Sequence, residues 1–171
     1  MFNEETEREY QEYGSEYKRA EKRALYLLGN RDYSSNALKE KLLNNYSHDI
    51  AEKVIEDMKS CGFLNDEEYA RKLAAALIRE KKYGVHRAKS EMKRRGVSPL
   101  DTEEALSAYE REDYTEELIC LVEKKYINKI QDRDDRRRTV AALIRRGYGF
   151  SEIKDAIMTV LHSQEDESSE E

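Results

Sequence analysis

Residues 62–70 read Gly62-Phe63-Leu64-Asn65-Asp66-Glu67-Glu68-Tyr69-Ala70, and they close one helix and open another. Glycine takes the left-handed conformation that ends a helix at little steric cost. The apolar Phe63 after it is expected to pack back on the closing turn. Asn65 suits an N-cap, with Glu68 three residues on, where a capping-box acid belongs. Asp66 and Glu67 put negative charge in the first turn, where the helix dipole favours it. Tyr69, Leu73 and Leu77, with Ala70, Ala74 and Ile78, then form one apolar face at helical spacing. This helix is predicted to run to Tyr83 and stop at Gly84.

The same punctuation recurs on both sides. A first helix is predicted over 15–28, with Ala20, Ala24, Leu27 and Leu28 as its stripe and Gly29 as its stop. The acidic residues 1–17, with Tyr10, Tyr13 and Tyr17, either are disordered or extend that helix. Ser34 or Ser35 opens a second helix carrying Leu38 and Leu42. Ser47 or His48 opens a third, with Ile50, Val54, Ile55 and Met58 inward. Beyond the fourth, a fifth covers 86–95 with a thin face of Ala88 and Met92, and ends at Gly96-Val97. Pro99, welcome in a first turn, starts a sixth with Ala105, Leu106 and Tyr109. A seventh spans 112–127 through Leu118, Leu121, Val122 and Tyr126, followed by a polar loop over 128–134. The eighth, 135–146, carries Val140, Leu143 and Ile144 inward. Ser151 caps a ninth with Ile153, Ala156, Ile157, Val160 and Leu161.

These helices repeat. Asn45, Gly96 and Gly147 follow one another at a spacing of 51, as do Val54, Ala105 and Ala156, and Ile55, Leu106 and Ile157. Arg94-Arg95-Gly96-Val97 returns as Arg145-Arg146-Gly147-Tyr148. The fold class is therefore all-α: three tandem three-helix repeats, each too small to bury its faces alone, stacked into an elongated, slightly curved rod. The expected boundaries are an acidic extension over 1–17, repeats over 18–64, 65–111 and 112–162, and a disordered acidic tail over 163–171.

Charged residues make up 40% of the 171-residue chain and apolar ones 38%, which suits thin amphipathic helices. The net charge of −6 is carried by the ends. Residues 1–17 and 163–171 contribute −5 each, leaving +4 for 18–162. Cys61 and Cys120 have no metal or redox spacing and read as packing residues. His48, His86 and His162 fall in different repeats, so neither a metal nor any other cofactor is expected. The glycines are dispersed and build no phosphate loop, and no nucleophile–base set stands out. With no secretory leader and no apolar span at the length a bilayer needs, the reading is a cytoplasmic, monomeric non-enzyme.

What remains is charge on helices. Arg79, Lys81, Lys82, Arg87, Lys89, Lys93, Arg94 and Arg95 face only Glu80 and Glu91, giving +6 over 79–95. Arg136, Arg137, Arg138, Arg145 and Arg146 form a second cluster on the repeat-equivalent helix. Taken singly, each is an ordinary solvated cation. As a set, they are candidates for binding an anionic partner, including single- or double-stranded DNA without sequence preference. Lys89, Lys93, Arg94, Arg136, Arg137 and Arg145 are expected to be the exposed members. Tyr83, Tyr148 and Phe150 lie near these clusters; sealing helix ends is the preferred role over stacking on bases.

Three places together resemble the RecX family of recombinase regulators. They are Ala24-Leu25-Tyr26-Leu27-Leu28 with Arg31-Asp32-Tyr33-Ser34, Leu38 and Leu42; Gly62-Phe63-Leu64-Asn65-Asp66 through Gly84; and Arg145-Arg146-Gly147-Tyr148 with Ile153 and Ile157. Their order and spacing over 18–161 are specific. Two departures are Tyr148, where the family often has phenylalanine, and Asn45 in place of a helix-ending glycine. The resemblance implies the tandem three-helix fold. It also implies a modulator of RecA that binds the recombinase filament on single-stranded DNA and restrains its growth, ATP hydrolysis, strand exchange and co-protease activity in DNA repair and recombination. It implies no catalytic residue and no cofactor. The competing class is a helix-turn-helix-like DNA-binding module without a recombinase partner, reading bases from a basic second helix.

Overall fold

The computed structural model describes residues 4–107, 109 and 112–169, and among them every regular element is helical. In order these are α1 (Glu4–Asn30), α2 (Ser35–Leu43), α3 (His48–Ser60), α4 (Asp66–Ala75) with a π-helical turn (Ala76–Glu80), α5 (Val85–Arg94), α6 (Pro99–Ser107), α7 (Glu112–Ile130), α8 (Arg133–Arg145) and α9 (Phe150–Ser169). They fall into three consecutive trios, as the period predicts. The chain divides into two compact units: Met1–Ala70 with Arg95–Ser98, and Arg71–Arg94 with Pro99–Glu171. Residues 66–70 and 95–98 of the middle trio fall in the first unit and the rest of it in the second.

In the first unit, α1, α2 and α3 enclose a core of Ala20, Ala24, Leu38, Leu42, Ile50, Ala51, Val54 and Met58, all almost fully buried. Each buried Leu or Ile contributes roughly 1.5–3 kcal/mol. Helix α3 ends as the sequence predicts. Gly62 has φ +77°, its N–H donates to the Lys59 carbonyl, and the Phe63 N–H donates to Met58. This is the paired closure of a Schellman motif. Phe63 itself is 58% exposed, and Leu64 is the residue that turns into the core. Cys61, expected to pack, is exposed at the C-cap of α3. Asn65 caps α4 by accepting from the Glu68 N–H at 2.9 Å.

Asp66 does more than charge a first turn. Its carboxylate accepts the Ser35 N–H at 2.7 Å, at the start of α2, and pairs with Lys59 at 2.9 Å. Burial pushes this carboxyl up, but the Ser35 amide and the Lys59 ammonium outweigh it and hold the pKa below the ordinary range.

One arrangement occurs in both units. The carbonyls at a helix C-terminus lack partners within their own helix. In the first unit, the Arg95 carbonyl accepts from the Ser34 hydroxyl at 2.8 Å, and the Gly96 carbonyl accepts from Asn36 at 3.0 Å, both beside the N-terminus of α2. In the second unit, 51 residues on, the C-terminus of α8 meets the N-terminus of α5. The Gly84 N–H donates to Arg146 at 2.7 Å, and the His86 N–H donates to Gly147 at 3.2 Å. The glycines follow from this closeness. A Cβ at Gly84 would lie 2.1 Å from the Gly147 carbonyl carbon, and one at Gly147 would lie 2.4 Å from the Arg87 nitrogen. Gly96 and Gly147 also hold φ of +76° and +92°.

Several sequence expectations change for physical reasons. Helix α1 starts at Glu4 rather than Ser15 and continues past Gly29, which sits in open helical surroundings. Of the two readings for residues 1–17, extension of the helix holds from Glu4 onward. The segment after the π turn closes at Lys82, left-handed with φ 53°, so Gly84 serves close approach rather than helix termination. The predicted loop 128–134 shrinks to two residues. Ile130 is fully buried and completes α7, and Asp132 caps α8 by accepting the Asp134 and Asp135 N–H groups. On α8, Thr139 and Leu143 face inward, while Ile144 is 48% exposed. Gly149, not Ser151, precedes α9, with its N–H donating to Glu152 and its carbonyl accepting from Ile153. Helix α9 runs on through Ser169 beyond the expected stop at His162, so 163–169 are backbone helix rather than tail. Residues 170 and 171 lie outside the described residues.

Opposite signs are expected at two kinds of glycine. Gly147→Ala should cost about 2 kcal/mol or more, from forced left-handed backbone and overpacking. Gly29→Ala should stabilise by about 0.5–1 kcal/mol. Urea melts of the two variants check both.

Asp66→Ala leaves the Ser35 N–H without its acceptor and should cost about 1–3 kcal/mol. Because the folded pKa lies below the ordinary 3.8, the charge contribution is fully present above that value and is lost as pH falls through the folded pKa. The stability–pH curves of wild type and Asp66→Asn should therefore separate at neutral pH and converge in acid.

Candidate functional site

The two basic clusters meet in the second unit because α8 ends on the start of α5. That junction uses some of the cations itself. Arg146 donates to the Lys81 and Lys82 carbonyls, each at 3.2 Å. Arg87 donates to the Arg145 carbonyl at 3.2 Å and lies 4.1 Å from the centre of the Tyr83 ring. Lys82 pairs with Glu117 at 3.3 Å. Arg136, expected to be exposed, is partly buried. Its guanidinium takes the Ile130 and Gln131 carbonyls at the end of α7. Arg94 is held by Glu91 at 2.6 Å, and Arg138 by Asp135 at 2.9 Å. Arg79 is exposed, 5.7 Å from the centre of the Tyr109 ring.

Lys81, Lys89, Lys93, Arg95, Arg137 and Arg145 remain without an ion pair among the described residues. All are exposed except Lys89, which is partly buried against the expectation, because it sits beside the buried Ala88 and Met92 stripe. Arg95 belongs to the first unit; the others belong to the second. In the second unit, Lys81 and Arg145 flank the junction, Lys93 lies further along α5, and Arg137 lies two turns back on α8.

The aromatic residues divide. Tyr148 is 4% exposed and seals the junction. Its hydroxyl donates to the Lys82 carbonyl at 3.2 Å, and burial pushes its pKa up to about 12. Tyr83 is packed under Arg87 rather than offered to a base. Phe150 is 66% exposed and seals nothing. Ile144, next to Arg145 in the chain, is exposed as well. Sequence periodicity missed this because Ile144 reads as part of an inward stripe, and only the packing of α8 shows that Thr139 takes that side.

Among the described residues no group of three His, Cys, Asp or Glu side chains is placed to hold a metal. None of the described helices is long and apolar enough to cross a membrane. Among the described residues, the exposed members of these clusters place positive charge on the surface of the second unit.

Comparison with known proteins gives a consistent result. The family model described as RecX, second three-helix domain, matches residues 65–106. The regulatory protein RecX of Trichlorobacter lovleyi is 33% identical over 130 residues, covering 73% of this chain and 84% of that protein. The regulatory protein RecX of Pelodictyon phaeoclathratiforme is 30% identical over 150 residues, covering 84% and 91%. The crystal structure of RecX from Lactobacillus salivarius superposes with a TM-score of 0.78 at 19% identity, over 86% of this chain and 97% of that one, and so matches the fold.

The two neighbouring arginines 145 and 146 should behave oppositely. Arg146→Ala removes charged hydrogen bonds to two carbonyls and should cost about 1.5–3 kcal/mol. Arg145→Ala, a surface change, should stay within about 0.5 kcal/mol. Thermal melts of the two single variants decide it.

Proposed function

The chain belongs to the RecX family of regulatory proteins, and from that premise we propose that it binds the RecA recombinase filament on single-stranded DNA and restrains its growth, ATP hydrolysis, strand exchange and co-protease activity. The observation that carries this reading is identity of 30–33% sustained over 84–91% of the length of its relatives. The exposed cations Lys81, Lys93, Arg137 and Arg145 supply a physical means of engaging an anionic assembly. A protein built of repeats can contact neighbouring subunits of a filament in one conformation. If it binds that conformation better than the others the filament must pass through, it shifts the population toward it.

The test is DNA-dependent ATP hydrolysis by RecA filaments titrated with this protein. Hydrolysis should fall with added wild-type protein. The variant Lys81→Glu/Lys93→Glu/Arg137→Glu/Arg145→Glu should keep its helical circular dichroism and melting temperature, since each position is exposed. It should inhibit far less, with the salt dependence of binding reduced by roughly 0.7 log unit for each lost single-strand phosphate contact. Hydrolysis unaffected by saturating wild-type protein would sink the proposal. A gel shift on DNA alone, tight and sequence-dependent, would favour the helix-turn-helix reading instead.

A further inference from the structure

One face of α7 carries Glu116, Glu117, Cys120, Leu121, Lys124 and Lys125 at helical spacing. In the second unit it lines an open cleft of about 680 Å³, whose other rim is Arg79 and Lys82. That rim has unusual backbone. Arg79 lies in the π-helical turn, and Lys82 holds φ 53°. π turns and left-handed non-glycine residues concentrate where a site needs a side chain re-aimed. Here the conformation is fixed from behind, because the Lys82 carbonyl accepts from both Arg146 and Tyr148.

The charges in the cleft do not balance. Lys82 and Glu117 neutralise each other across it. Glu116 then stands against Arg79, Lys124 and Lys125. Leu121 and Cys120 supply a small apolar floor between the cations.

We propose that this cleft docks an acidic peptide segment of a partner protein. Its carboxylates lie on Arg79, Lys124 and Lys125, and one apolar side chain sits on Leu121. A nucleic acid fits less well. Its phosphates recur along the whole strand and would run past Glu116, whereas a peptide can place an uncharged residue there. No aromatic side chain lines the cleft to stack on a base, and beside it the Arg79 guanidinium already lies 5.7 Å from the centre of the Tyr109 ring. The proposal is independent of the filament reading above, and its test contains no recombinase.

The probe is a fluorescein-labelled synthetic peptide of Asp and Glu residues around a central Leu-Phe pair. It is added to the full chain carrying Cys61→Ser, so that Cys120 is the remaining thiol. Fluorescence anisotropy reads affinity, and the rate of Cys120 alkylation by N-ethylmaleimide reads location. The peptide should bind and slow alkylation of Cys120. Lys124→Glu/Lys125→Glu, both at exposed positions, should weaken binding by about tenfold or more with the melting temperature unchanged, as charge-assisted contacts become repulsive. Replacing Leu-Phe in the peptide by Ser-Ser should weaken it by a similar factor. The proposal is overturned if Cys120 reacts at the same rate with and without saturating peptide. It is equally overturned if the reversed variant or the Ser-Ser peptide binds as well as its parent. A thymidine oligonucleotide that protects Cys120 as fully as the peptide does would assign the cleft to nucleic acid and also overturn it.

Discussion

A helix that stops leaves carbonyls without donors, and a helix that starts leaves N–H groups without acceptors. In this protein the two deficits are set against each other. The end of α8 takes its donors from the start of α5, through Gly84, His86 and Arg87. Opposite ends of two helix dipoles also meet there. In the first unit, Ser34 and Asn36 do the same for the carbonyls of Arg95 and Gly96. Backbone can approach backbone this closely only where no Cβ intervenes. Gly84 and Gly147 follow from that condition, as does the left-handed turn that lets Gly147 present its carbonyl.

The same junction decides which cations are available to a partner. A guanidinium committed to main-chain carbonyls is part of the fold, and moving it exposes those carbonyls. Arg146, Arg87 and Arg136 are of this kind. Lys81, Lys93, Arg137 and Arg145 have no such duty, and a partner can take them without cost to the helices. A basic run that looks uniform in sequence is therefore two sets with different work, interleaved residue by residue.

Both departures from the family pattern fit this scheme. Tyr148 carries a hydroxyl that phenylalanine would lack, and that hydroxyl donates to the Lys82 carbonyl. Asn45 occupies the repeat position of Gly96 and Gly147, yet it is exposed and its φ is not left-handed. No Cβ clash arises there, so glycine is not required.

The sequence by itself determined the helices, their trios and most of their buried faces. Capping residues, glycines and apolar spacing act within a few residues, and those local energies point the same way along the whole chain. Gly62, Asn65, Ala88, Met92 and the Ile153–Val160 stripe were legible for that reason. The sequence also marked the basic clusters, since charge is written directly in residue type. Only the tertiary structure decided that Arg87 and Arg146 are not free, because the carbonyls they hold lie more than fifty residues away. It likewise decided that Phe63, Ile144 and Phe150 face outward, that Ile130 faces in, and that Asp66 holds the N-terminus of α2. A helical stripe fixes the direction of burial to within a turn. Which residue at the edge of the stripe is covered depends on the neighbour packed against it, and no local pattern encodes that neighbour.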